Sequence, residues 1–171
     1  MADKNAVQDL LADEIKDLYS AEKQLTKAIP KMAKGSTDTS LKAALTAHLK
    51  ETHEQVSRLE KVAELLGIKP TGKKCVGMEG CIKEGAEALE EEGNDAVLDL
   101  GIIGAGGRVE HYEMAGYMTA ISLAQRIGAG EVAALLKESL GEEEAADKKL
   151  RQIGASISKI APAGAAKATR A

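Results

Sequence analysis

Residues 15–29 read IKDLYSAEKQLTKAI. Taken at helical spacing through and beyond this stretch, the chain offers Val7, Leu11, Ile15, Leu18, Glu22, Leu25 and Ile29. Steps of three and four residues put these side chains on one face of an α-helix. Six of the seven are aliphatic, and the seventh is a carboxylic acid in the middle of the stripe. The pattern predicts a long helix that turns this face into a core and carries one acid with it.

The same interruption recurs downstream. Ala133, Leu136, Leu140, Glu143, Asp147 and Leu150 form an apolar stripe broken by two acids one turn apart. Val97, Leu100, Ile103, Gly107, Glu110, Met114, Tyr117 and Ile121 form another, with Glu113 beside Glu110. Ala44, His48, Glu51, Gln55, Leu59 and Val62 make one edge of a fourth. Each acid falls in the middle portion of its helix, so all can share one level of a bundle.

Punctuation residues divide the chain around these stripes. Helices are expected over about 3–34, 38–66, 77–91, 95–127 and 131–157. Pro30 should kink or weaken the end of the first. Ser36, Thr37 or Asp38 can cap the second, and Gly67, Pro70 and Gly72 end it. Gly93-Asn94-Asp95 separates the third from the fourth, and Gly128 and Gly130 bracket the last turn. The third helix is short and amphipathic through Met78, Cys81, Ile82, Ala86 and Leu89. The closing APAGAAKATRA is low-complexity, so residues 158–171 are expected as a disordered tail and 1–157 as the folded domain. No strand-like alternation occurs. Short links pair the first two long helices and the last two as antiparallel hairpins, whereas the middle link is long. The expected fold is therefore all-α: a ferritin-like antiparallel four-helix bundle with a long crossover carrying a short extra helix.

Composition narrows the possible roles. The chain has 171 residues, 44% hydrophobic and 29% charged, with no Phe or Trp and three Tyr. A core of Leu, Ile, Val, Ala and Met suits helices. The net charge of −4 (23 basic against 27 acidic residues) argues against general nucleic-acid binding. No apolar run reaches membrane-spanning length, and MADKNAVQDL has no signal-peptide core, so a cytoplasmic location is expected. Two cysteines, Cys75 and Cys81, are too few for a disulfide framework.

Energetics give the buried acids their meaning. An ionised carboxylate removed from water costs several kcal/mol even after relaxation, while a domain is stable by only about 5–15 kcal/mol. Glu22, Glu51, Glu110, Glu113, Glu143 and Asp147 therefore need protons, basic partners or bound cations. The stripes present no lysine or arginine at these levels, and Arg108, Lys137 and Lys148 fall on other faces. Two divalent ions would supply four positive charges, and a carboxylate-rich set with the imidazole of His48 suits iron or manganese. The set departs from the usual Glu-x-x-His pattern of di-iron bundles, because His48 precedes Glu51 by three and the Glu143 helix has no histidine.

Other residues are read more plainly. Glu54 belongs with Lys50, Arg58 and Lys61 on the surface, as do His53, Glu142 and Glu144. His111 is given a packing or interface role. Tyr19, Tyr112 and Tyr117 either donate to ligating carboxylates or fill a core that lacks Phe. Gly101, Gly104 and Gly107 permit a close helix crossing, within the bundle or across a dimer. Cys75 and Cys81 are read as a loop contact and a core residue, with a thiol switch as the other reading.

Five blocks carry a family resemblance: DLYSAEKQLTKAIPKMAK (17–34), HLKETHEQ (48–55), KCVGMEG (74–80), RVEHYEMAGY (108–117) and LLKESLGEEEAADKKL (135–150). In this order they resemble the YciE/YciF-type bacterial stress-response proteins over about residues 5–153. The resemblance implies a rubrerythrin-like bundle, a homodimer, and a dinuclear metal centre. Carried over by position, Glu22, Glu51, Glu110, Glu113, Glu143 and Asp147 are its metal-site acids, and His48 and His111 lie in matching blocks. The activity expected is reduction of dioxygen or peroxide, or oxidation of the metal. The alternative is a non-catalytic dimeric helical module whose acids are protonated or ion-paired.

Overall fold

The structure, a computed structural model, describes residues 2–90 and 94–161, with side chains from Ala6 onward. Five helices account for most of it: α1 (Ala2–Gly35), α2 (Thr39–Leu66), α3 (Val76–Glu90), α4 (Asp95–Arg126) and α5 (Gly130–Ile157). Among the described residues there is no strand. Gly93 and the last ten residues of the expected tail lie outside them; Ser158, Lys159 and Ile160 form a turn after α5.

Local chemistry sets the helix ends. Asp38 is the cap of α2, its carboxylate accepting from Leu41 N at 2.8 Å. Gly67, at φ 66°, ends that helix in the left-handed conformation glycine adopts without penalty. The Asn94 side chain caps α4 through Ala96 N. Pro30 does not end α1, which continues to Gly35. Its missing N–H falls in the last turns, and the Leu25 and Ile29 side chains remain packed in the core around it.

Contacts across the bundle fix its directions. Asp99, early in α4, accepts from Thr37 and Asp38 just beyond the end of α1. Tyr112, later in α4, reaches back to Asp17 in α1. These two helices are therefore antiparallel. So are α2 and α5, because Gln55 meets Glu143 while Arg58 meets Ser139. With α1–α2 and α4–α5 joined as hairpins, α2 and α4 run the same way. The connection between them must return along the whole bundle, and α3 lies on that return, packed against α4 and α1. Among the described residues no helix is long and apolar enough to cross a membrane.

Two apolar clusters fill the interior. One gathers Leu11, Ile15, Leu18, Leu59, Val62, Tyr117, Ala120 and Leu136. The other gathers Leu25, Ile29, Leu41, Leu45, Met78, Ile102, Val109 and Leu150. Between them, on every long helix, the stripe turns polar: Glu22 between Leu18 and Leu25, His48 and Gln55 between Leu45 and Leu59, Glu110 and Glu113 between Val109 and Tyr117, and Glu143 between Leu136 and Leu150.

Two stripes differ from expectation. In the first half of α4 the buried face is Asp99, Ile102, Ala105 and Val109, and Val97 is exposed. Because α1, α3 and α5 all pack on this helix, a single stripe does not describe it. On α3, Ala86 is exposed, and Gly85 makes the close contact instead. A Cβ there would lie 2.6 Å from Met32 Cε. Gly101, Gly104 and Gly107 carry no such crowding; the tight crossings fall at Gly106 against Leu150 and at Gly116 against Leu18.

Candidate metal centre

Four helices deliver polar groups to one dry level. Glu22, Glu113 and Glu143 are fully buried, Glu110 is 2% exposed and His48 7%. Ligand atoms from His48, Glu110, Glu113 and Glu143 all lie within 4.8 Å of one another. His48 Nε2 is 3.3 Å from Glu110 Oε1 and 3.7 Å from Glu143 Oε2. Its Nδ1 faces Glu51 Oε2 at 3.4 Å. Glu51 itself is at the rim, its side chain 44% exposed.

Two hydrogen bonds hold the acids from outside. Tyr117 Oη donates to Glu22 Oε1 at 2.5 Å, and Gln55 Nε2 donates to Glu143 Oε1 at 2.5 Å. Tyr117 thus takes the carboxylate-orienting role that the sequence left open for it. Tyr19 instead donates to Glu60, and Tyr112 to Asp17. Gln55 stood on the α2 stripe, but nothing in its spacing marked it as a donor to Glu143.

Burial dominates the electrostatics. It pushes the Glu22, Glu110 and Glu113 carboxyls well above the ordinary range, and Coulombic repulsion from Glu143, and for Glu110 and Glu113 also from Glu22, pushes further. Glu143 is raised too, mainly by burial, against the opposing pull of Glu110, His48 and Gln55. For His48 burial favours the neutral ring, but the Glu51 hydrogen bond and the Glu143 and Glu51 charges outweigh it and raise its pKa.

Seven buried side-chain atoms at this level have no hydrogen-bond partner among the described residues. They are Glu22 Oε2, His48 Nε2, Gln55 Oε1, Glu110 Oε2, both Glu113 oxygens and Glu143 Oε2. Buried polar atoms are ordinarily satisfied. Here the orphaned atoms are carboxylate oxygens, one amide oxygen and an imidazole nitrogen, a donor set for a hard or borderline divalent cation. The residues therefore fit a metal.

Not every expected acid joins them. Asp147 is buried, yet its Oδ2 meets Arg151 at 2.6 Å and its Oδ1 lies 3.5 Å from His111 Nε2. The Asp147–Arg151 spacing of four residues is a standard helix ion pair, so this partner was visible in the sequence. His111 is 68% exposed and faces Asp147. Glu142 is only 25% exposed and receives both terminal nitrogens of Arg58 at 2.9 Å. Arg58, expected beside Glu54, instead crosses to α5 and also meets Ser139 and Glu138. Glu54 and His53 are exposed, as expected. Asp99 was missed as a buried acid because it lies one residue off the stripe assigned to α4.

A cleft of about 170 Å³ opens beside the centre between α2 and α5. Ala44, Ala47, Ala145 and Ala146 wall it, with His48, Glu51 and Glu110 at its inner side. Small side chains leave room for a molecule of a few heavy atoms.

Comparisons with known proteins place this geometry. A family model described as a domain of unknown function, DUF892, matches residues 6–161. Protein YciF of Escherichia coli strain K12 is 43% identical over 148 residues, which cover 86% of this chain and 89% of that protein. The crystal structure of the E. coli stress protein YciF matches with a TM-score of 0.87 at 41% identity, over 90% of this chain and 97% of its own. YcfI of Rhodopseudomonas palustris matches with a TM-score of 0.82 at 42% identity, over 85% and 92%. A two-domain Anabaena variabilis protein with DJ-1/ThiJ/PfpI-like and ferritin-like domains matches with a TM-score of 0.63 at 12% identity, over 96% of this chain and 41% of that one. That last likeness is one of fold, and the fold is ferritin-like.

Proposed function

The chain belongs to the DUF892 family, and on that premise we propose that it is a stress-response protein that handles dioxygen or hydrogen peroxide at a dinuclear iron or manganese centre inside the bundle. The observation that carries this reading is the set of seven unpartnered buried atoms converging from four helices. Glu110, Glu113, Glu143 and His48 would hold the ions, with Glu22 as a further donor and Glu51 at the rim. Asp147, already paired with Arg151, stands outside the set. Bound there, two divalent ions would supply Lewis acidity and electrons for reducing a small oxidant.

The chain's own groups serve the site in distinct ways. Tyr117 and Gln55 fix one oxygen each of Glu22 and Glu143, leaving the other oxygen free. Leu18, Leu25, Leu136 and Leu150 exclude water above and below. Glu51, open to the cleft, and His48, between it and Glu110, provide a path for protons from the cleft to the centre. The cleft is large enough to admit a molecule of peroxide size.

Elemental analysis of protein purified without chelator tests the proposal. About two iron or manganese ions per chain are expected, lost in a Glu110→Ala/Glu143→Ala variant that still folds. Wild-type protein that takes up neither ion on reconstitution overturns it. A second reading, a helical scaffold without turnover, draws on the Tyr117 and Gln55 hydrogen bonds, which also serve protonated acids. It predicts a metal-free chain whose folding is unchanged by the double substitution.

A further inference from the structure

Cys75 is fully buried in the crossover just before α3, and its partner is not the second cysteine. Cys81 lies six residues further on, which along a helix is a rise of about 9 Å, beyond the roughly 7 Å that a disulfide can bridge. The thiol instead meets a phenol: Cys75 Sγ lies 3.0 Å from Tyr112 Oη. That spacing is short for a thiol–oxygen hydrogen bond. It is close to the separation imposed when sulfur is bonded to the ring carbon beside a phenolic oxygen.

Both partners are held in this position. The Tyr112 hydroxyl donates to Asp17 Oδ2 at 2.9 Å, so the thiol is the donor to the phenol oxygen. Asp17 also meets Lys73 Nζ at 3.4 Å. Burial would favour a neutral Asp17, but its polar neighbours Cys75, Tyr112 and Lys73 outweigh it and hold the carboxyl below its ordinary range. A carboxylate accepting the phenol's hydrogen bond makes the ring more electron-rich. The cysteine backbone is pinned from α1: Cys75 N donates to Ser20 Oγ at 2.9 Å, and Gln24 Nε2 donates to the Cys75 carbonyl at 2.9 Å. Met78 N donates to the sulfur at 3.4 Å. The ring lies flush against Gly77, where a Cβ would come within 2.5 Å of Tyr112 Cε2. Only glycine at that position lets the ring reach the sulfur.

We propose that Cys75 and Tyr112 are a self-modification site, in which a peroxide joins Cys75 Sγ to the ring carbon of Tyr112 next to its hydroxyl as a thioether. Burial raises the pKa of the Cys75 thiol, so its proton must leave as it reacts. It passes to Tyr112 Oη, whose own proton passes to Asp17, as the sulfur lone pair attacks a peroxide oxygen. The O–O bond breaks, the departing hydroxide takes that proton from Asp17 and leaves as water, and Cys75 is left as a sulfenic acid. The electron-rich ring carbon then attacks the sulfur. The S–O bond breaks, and hydroxide leaves with the ring proton as a second water. One hydrogen peroxide thus becomes two waters, and the thiol and the ring together lose two hydrogens and two electrons. Fixed proximity favours this second step over further oxidation of the sulfur. Lys74 and Val76 on either side are exposed, so local opening of the crossover would give peroxide its approach. The product is a tie that thiols cannot reduce, between the crossover and the helix bearing Glu110 and Glu113. The step draws on none of the metal chemistry proposed above.

Mass spectrometry of the intact, full-length protein after treatment with one equivalent of hydrogen peroxide tests this. The expected product is two hydrogens lighter, unchanged by dithiothreitol, and has one alkylatable thiol left after unfolding. Trypsin should then release residues 75–83 joined to residues 109–126. Cys75→Ser and Tyr112→Phe should each abolish the product, Cys81→Ser should leave it, and Asp17→Asn should slow it. The wild-type thiol count and peptide map decide the matter even if a variant misfolds. Cys75 recovered as a sulfinic acid, a reducible Cys75–Cys81 link, or two free thiols after treatment would each overturn the proposal.

Discussion

Three acids stand close together on α5, and the molecule treats them in two ways. Glu142 is met by Arg58 and Asp147 by Arg151. Glu143, between them and turned inward, has one hydrogen bond from an uncharged amide. Arginine is thus available within a turn on either side, yet among the described residues none reaches the central level. The contrast separates carboxylates that the chain neutralises itself from carboxylates it leaves for something else. A core optimised for stability alone would place Leu or Met at such positions, since apolar replacement of buried charge is often neutral or stabilising.

The sharpest way to break that contrast is to remove charge without removing shape. Glu110→Gln/Glu113→Gln should abolish metal uptake, read by elemental analysis, while raising the metal-free unfolding midpoint measured in urea at neutral pH. The gain should be on the order of a few kcal/mol, because buried unpaired charge is relieved. A variant that instead loses metal-free stability would mean these acids are already satisfied within the protein.

Next in size is the dependence on pH. Glu22, Glu110, Glu113 and Glu143 are raised above the 4.5 of a free glutamate, and His48 is raised above 6.5. Each holds its proton more tightly folded than unfolded. The stability they contribute is therefore present at low pH and lost as pH rises from about 4.5 through the raised values. Asp17 and Glu51 are lowered and act in the opposite sense, but they are two groups against five. Chelator-treated protein should lose urea resistance progressively as pH rises above the ordinary glutamate range. Saturating metal should flatten or reverse the slope, because protons and metal compete for the same oxygens.

How much of this contrast was legible depends on the interaction concerned. The inward turn of Glu22 and Glu143 was plain, because α1 and α5 each bury one regular stripe and the acid sits in phase with Leu and Ile. The four-helix architecture followed from five such segments and their caps, and Asp38 and Asn94 cap as their residue types suggest. The phase of α4 was not legible: three neighbours bury it on several sides, and Asp99 is buried at a position the stripe assigns to solvent. Nor was the crossing of Arg58 to Glu142, since a long flexible side chain picks its partner by tertiary proximity across 84 residues. Arg151 is the converse case, a helical neighbour of Asp147 whose spacing alone identifies the pair. The Cys75–Tyr112 contact joins a loop to a helix, and no periodicity encodes it.

Smaller effects separate the supports of the centre from its surroundings. Tyr117→Phe removes the tyrosine hydrogen bond to Glu22 and should lower metal affinity about ten- to hundred-fold, as loss of a ligand-orienting partner does. Titration with Mn²⁺ measures this, and an unchanged affinity would mean Glu22 is not a ligand.

The smallest prediction sets the two arginines against each other. Arg58 is 13% exposed, gives two nitrogens to Glu142 and one to Ser139, and bridges α2 to α5. Arg151 is 72% exposed and pairs within its own helix. Arg58→Ala should therefore cost roughly 1–3 kcal/mol, since it strands partly buried acceptors and opens an interhelical contact. Arg151→Ala breaks a pair within one helix, but among the described residues it leaves the buried Asp147 carboxylate with only the exposed His111 beside it, so it should cost a comparable amount, roughly 1–3 kcal/mol. Yet Arg151→Ala also frees Asp147, a buried acid one turn from Glu143. If Asp147 can then turn toward the centre, Mn²⁺ affinity should rise as stability slips, whereas a purely structural pair would leave metal affinity untouched. The two readouts together decide whether the arginine merely satisfies Asp147 or also withholds it from the metal.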